Sequence, residues 1–112
     1  MKDIKPFLRH IIDECEYLEN ASRNLEFEQF IKDETLKRAF VRSLEIIGEA
    51  AKNIPDDIKN KYKHIPWKQI AGLRDVLIHK YFGVDYKNVW KIVKEDIPKL
   101  KEDISKILEG LK

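Results

Sequence analysis

At 112 residues, 43% of them apolar and 38% charged, the chain has material for one domain with a core under a densely charged surface, and too little for a second. Lys+Arg 22 against Asp+Glu 20 leaves a formal net charge of +2, so global charge neither demands nor excludes a nucleic-acid partner, and any anion site has to be a local patch. One cysteine excludes an intrachain disulfide, and no apolar run approaches the ~20 residues of a membrane span, so a soluble, unexported, cytoplasmic protein is expected.

The chain opens with Asp3 as a cap and Pro6 in a first helical turn, after which Phe7, Leu8, Ile11, Ile12, Cys15 and Leu18 recur at three- and four-residue steps. That spacing predicts a helix ending between Asn20 and Asn24 and places the Cys15 thiol in the core. Phe27, Phe30 and Ile31 predict a short turn packed on the core. Asp33 then starts a second helix with Leu36, Phe40, Leu44, Ile47 and Ala51 on one face, and Pro55 breaks the chain just beyond it. "PDDIKNKYKHIP" reads as a short helical connector. A third major helix is predicted from Pro66 or Trp67 to Tyr81 or Phe82, with Gly83 ending it. The last segment repeats apolar residues at Tyr86, Trp90, Val93, Ile97, Leu100, Ile104, Ile107 and Leu111, one helical stripe that Pro98 should kink or split near Glu95 to Pro98. The expected fold is therefore all-α, an antiparallel four-helix bundle with a short extra helix, formed by residues 1–112 as a single domain.

The segment "GLRDVLIHKYFGVD", Gly72 to Asp85, places an arginine, a histidine and a tyrosine inside an apolar helical pattern. Counted at 100° per residue from Ile70, the side chains of Leu73, Leu77 and Tyr81 face the core, while Asp75 and His79 lie opposite, four residues apart, with Gly72 one turn below and open to close approach by another backbone. Arg74 sits at the edge of the apolar arc, about 140° from His79 on an ideal helix. Spacing alone leaves two readings of Asp75 and His79. One is a carboxylate orienting a functional imidazole; the other is an ordinary surface pair beside a snorkelling Arg74. Tyr81 reads equally as a core-edge tyrosine with its hydroxyl in water.

Other chemistry is poorly supported by the residues. Trp67 and Trp90 both fit apolar stripes and are read as core anchors, not as a base-stacking platform. His10 and His64 have no partner at metal-ligand spacing, and there is neither a cysteine pair nor an HExxH pattern. None of the four glycines falls in a phosphate-cradling motif, and Ser22, Ser43 and Ser105 lie in no nucleophile elbow. No metal and no cofactor are expected.

The stretch "RDVLIHKY" resembles the R-x4-H-x-Y signature of the HEPN superfamily in its HepT-like branch. The flanking stretches "RSLEIIGEAAKNIP" at 42–55, "IPWKQIAGLRDVLIHKYFGVD" at 65–85 and "VWKIVKEDIPKLK" are similar to that branch in the same order. The resemblance implies a helical bundle that forms a homodimer and acts as a toxin, a metal-independent endoribonuclease neutralised by an MntA-like nucleotidyltransferase antitoxin. Arg74 and His79 match the catalytic positions, Asp75 the polar residue that often follows the arginine, and Tyr81 the tyrosine to which the antitoxin attaches AMP. Members of the superfamily also serve as nonenzymatic RNA-binding or scaffold modules, so a catalytically silent subunit partnered with a nucleotidyltransferase is the alternative.

The chemistry suits these residue types. Transesterification of RNA needs an acceptor for the 2′-hydroxyl proton, a donor for the leaving 5′-oxygen and positive charge at the phosphorane. A histidine serves the first two roles, and an arginine fork pairs two phosphate oxygens. A twofold axis would bring two copies of each to one cleft, which resolves the 140° separation within a single chain.

Overall fold

The structure, a computed structural model, describes residues 3–79 and 83–111, the side chains of Val76, Ile78 and His79 excepted. It is a helical bundle built on α1 (Lys5–Ser22), α3 (Glu34–Ala51) and α8 (Ile97–Gly110). Short α2 (Phe27–Lys32) and α4 (Asp56–Lys61) fill the connections. The remaining side of the bundle is α5 (Trp67–Ala71), α6 (Leu73–Leu77) and α7 (Tyr86–Lys91), with β1 (Ile78–His79) paired antiparallel to β2 (Gly83–Val84) between the last two. Among the described residues that ladder is the whole of the β structure.

The local signals explain the starts of these helices. Asp3 accepts the Lys5 backbone N–H at 3.0 Å, and Asp33 accepts that of Leu36 at 3.0 Å, each quenching a donor that the first turn leaves unpaired. Glu26 and Gln29 form a reciprocal capping box that makes α2 a helix instead of a loose turn. The apolar faces then meet in one cluster. Leu8, Ile11, Cys15 and Leu18 of α1, Phe40, Leu44 and Ile47 of α3, and Ile104 and Ile107 of α8 are all fully buried. Helices α1 and α3 run antiparallel, with Tyr17 edge-on to Phe40 and Ser43 donating its hydroxyl to Glu14 at 2.8 Å. Antiparallel packing of α8 on α1 brings Lys101 to Glu19, and just ahead of α8 Lys94 donates to the Ser22 carbonyl at 3.0 Å, satisfying an acceptor at the end of α1.

Both tryptophans are packed as the apolar stripes predict. Trp67 is buried and donates its indole N–H to the Tyr62 carbonyl at 3.1 Å, while half-buried Trp90 stacks on Phe30, with ring centroids 5.2 Å apart. The last stripe is interrupted as expected of Pro98, and the form of the interruption is a π-helical turn over Ile92–Asp96 that precedes α8, where the proline takes an early position.

The third major helix departs from its predicted form. Instead of one helix from Trp67 to about Tyr81, there are two five-residue helices that meet at Gly72, and the second stops at Leu77. The stop has a visible cause. The Leu77 carbonyl, an acceptor that a continuing helix would use within itself, accepts the Asp85 N–H at 2.8 Å. Gly83, at φ 78, opens β2 in the left-handed conformation that side-chain-bearing residues adopt only at a cost. Apolar periodicity through Leu77 was thus a sound helical signal, whereas beyond it long-range pairing outweighs local propensity.

What holds this side of the molecule is a close backbone approach. A Cβ on Gly48 would lie 3.0 Å from the Ile70 carbonyl oxygen and 3.5 Å from that of Ala71, so α5 rests directly against α3. We predict that Gly48→Ala destabilises the protein. The added methyl meets backbone that yields poorly, an overpacking cost of about 1–3 kcal/mol, which exceeds the ~1 kcal/mol gained in helix propensity. Thermal unfolding should show a lower Tm for the variant. A second prediction concerns Cys15, whose thiol is pushed from its ordinary 9.0 up to about 12, chiefly by burial and then by Glu19. Native protein at pH 8 should resist a thiol alkylator that modifies the urea-unfolded chain. Because the folded state holds the proton more tightly, this residue's contribution to stability is complete below pH 9 and declines as pH rises toward 12, which denaturant titrations across that range would register.

Candidate functional site

The segment carrying the R-x4-H-x-Y pattern is mounted on two buried leucines. Leu73 and Leu77 insert into the core at 8% and 0% exposure, and the helical turn between them turns Arg74 and Asp75 outward, where both are exposed. Ile70 of α5 is buried in the same core, so α6 is anchored from before and within. Beyond Leu77, His79 enters the two-residue ladder, its backbone opposite Gly83, and Ile78 stands opposite Val84. The cross-strand neighbour of His79 therefore presents only backbone. Asp85 closes the segment twice: its N–H binds the Leu77 carbonyl, and its side chain accepts the Asn88 N–H at 3.1 Å to start α7.

Of the residues singled out in the sequence, the structure places Arg74 and Asp75 at the surface of α6 and the His79 backbone in β1, five and four residues further along the chain. Tyr81 lies outside the described residues. Asp75 and His79 are not four apart on a helix, because α6 has ended before His79; the ideal-helix offsets, including the 140° between Arg74 and His79, do not apply. The room expected at Gly72 is also different in kind. A Cβ there would meet the Lys68 carbonyl of its own preceding turn at 3.3 Å, so among the described residues Gly72 serves as the joint between α5 and α6. Arg74 is exposed and makes no hydrogen bond or ion pair with another described residue.

Asp85 is the residue that sequence reasoning passed over. Its signal was present: an aspartate three residues before Asn88, at the head of an apolar periodic run, is an N-cap pattern. Among the described residues no three carboxylate, imidazole or thiolate groups converge to form a metal-binding cluster. No described helix is long and apolar enough to cross a membrane.

Comparison with known proteins adds what geometry does not. The family model described as Ribonuclease HepT-like matches residues 11–107. A protein of Caldanaerobacter subterraneus named "Putative RNase TTE0752" is 50% identical over 109 residues, 97% of each chain. One of Thermococcus cleftensis named "Probable ribonuclease HepT" is 48% identical over 103 residues, 92% of this chain and 94% of the relative. In Methanocaldococcus jannaschii, a longer protein named "Gamma-glutamylcyclotransferase and putative RNase MJ0434" is 49% identical over 110 residues, 98% of this chain but 50% of its own length. No solved structure matches the chain significantly.

Since Arg74 and Asp75 are exposed and outside the core, Arg74→Ala and Asp75→Ala should each change folding stability by no more than about 0.5 kcal/mol. Chemical denaturation would show overlapping midpoints. A large loss for either would mean that the residue is structural.

Proposed function

Because the chain belongs to the HepT-like ribonuclease family, we propose that it is a metal-independent endoribonuclease and the toxin of a toxin-antitoxin pair, acting as a homodimer on RNA. The observation that carries this reading is the placement of its R-x4-H segment: Arg74 is exposed and unpaired among the described residues, on a helix held by buried Leu73 and Leu77, and the backbone of His79 follows in a short closed ladder. A segment anchored by buried leucines and a paired backbone is where a positioned acid-base group is useful.

In this reading His79 accepts the 2′-hydroxyl proton and a second His79, from the other copy, donates to the leaving 5′-oxygen. Arg74 neutralises the phosphorane. Asp75, assigned an orienting role by the resemblance, would act on the imidazole across the end of α6 and not along a helix. Tyr81 is the proposed acceptor of AMP from an MntA-like nucleotidyltransferase. The added phosphate would compete with RNA for Arg74 and repel the substrate backbone. The relative in which the same region makes up half of a longer protein supports residues 1–112 as one self-contained domain.

The test is a set of variants assayed on RNA. His79→Ala should lose at least ~10² in rate, the lower end of what acid-base catalysis contributes, and Arg74→Ala should lose activity while remaining dimeric in sedimentation. Tyr81→Phe should cut RNA as well as the parent yet gain no AMP mass and escape silencing when incubated with the nucleotidyltransferase and ATP. Binding of RNA without cleavage by the parent chain would instead establish a silent RNA-binding subunit.

A further inference from the structure

A cavity of about 560 Å³ opens on the side of the bundle where α5, α6, α7, the π-helical turn and α8 face one another. Its walls are aliphatic, formed by Ile70, Leu73, Ile92 and Leu100. Carboxylates sit at two levels. Asp103, 6% exposed, is the buried charged residue among those described, and Glu95 and Asp96 stand exposed on the π-helical turn at the rim. Opposing them are Lys99, whose ammonium is 3.5 Å from the Asp103 carboxylate, and His64, whose Nε2 is at the same distance. Both distances are long for charge-assisted contacts, and both partners are more than half exposed, so neither encloses the buried carboxylate.

We propose that this cavity binds a linear aliphatic di- or polyamine, with one ammonium on Asp103, its methylene chain along the aliphatic walls and a second ammonium at Glu95 and Asp96. Its size is that of a small-molecule site. Among the described lining residues, three carboxylates against one ammonium and one imidazole select a cation, and the apolar walls select one with a hydrocarbon body. The three do not converge to form a metal-binding cluster, which favours separated charges on a chain over a single ion. Among the described residues the lining contains no phenylalanine, tyrosine or tryptophan on which a nucleobase could stack, and the acidic rim repels phosphate. An occupant would also press on Leu73, whose neighbour is Arg74, joining the cavity to α6. The proposal stands apart from the ribonuclease reading, since binding is measurable without RNA.

Calorimetric titration at constant ionic strength, using spermidine, 1,6-diaminohexane and 1,6-hexanediol, tests it. The expected result is saturable binding of one amine per chain and none of the diol. Asp103→Asn should weaken the amines at least tenfold, Glu95→Gln with Asp96→Asn should weaken them severalfold, and Lys99→Gln should leave affinity unchanged or raise it. Glu95 and Asp96 are exposed, so that double variant carries the test even where Asp103→Asn fails to fold. Absence of saturable binding, equal binding of the diol, or affinity indifferent to the double variant would overturn the proposal. So would self-association that the double variant abolishes while amines do not bind, which would assign the cavity to a second copy.

Discussion

The contact of α3 with α5 at Gly48 sets where α5 and α6, and with them Arg74, lie. With no side chain at that position, the Ile70 and Ala71 carbonyls settle against α3, and α6 continues from there through the joint at Gly72. Leu73 and Leu77 then enter the same core as Phe40 and Leu44 of α3. The outward direction of Arg74 follows from those two inward leucines. A wider separation of α3 and α5 would move the guanidinium, the ladder and the cavity wall together.

Two kinds of order meet at Leu77. Upstream, side-chain burial every three or four residues sustains helix; downstream, one backbone bond from Asp85 captures the last carbonyl and Gly83 opens β2 in the left-handed conformation. The result is a histidine whose backbone is fixed by pairing at the end of a helix instead of inside it.

Much of this was legible in advance. Capping by Asp3 and Asp33, the buried stripe with Cys15 in α1 and the interruption before Pro98 follow from short-range rules that the structure obeys. The split at Gly72 and the stop at Leu77 were not legible, because periodicity counts side chains and cannot register a carbonyl taken by an amide eight residues away. The burial of Asp103 was half legible: it lies three residues after Leu100 and four before Ile107, squarely on the α8 stripe, but a charge at such a position is ordinarily read as surface. Identity of the R-x4-H-x-Y segment rested on its residues, and neither helical angles nor composition would have singled it out.

We propose that Arg74 and His79 cut RNA without a metal ion, by attack of the 2′-hydroxyl. Mass analysis of the RNA ends produced by the purified protein in EDTA addresses it most directly. The expected result is cleavage under those conditions, with 2′,3′-cyclic phosphate on the upstream fragment and 5′-hydroxyl on the downstream one. Cleavage that appears only when magnesium is restored and leaves 3′-hydroxyl ends would contradict it.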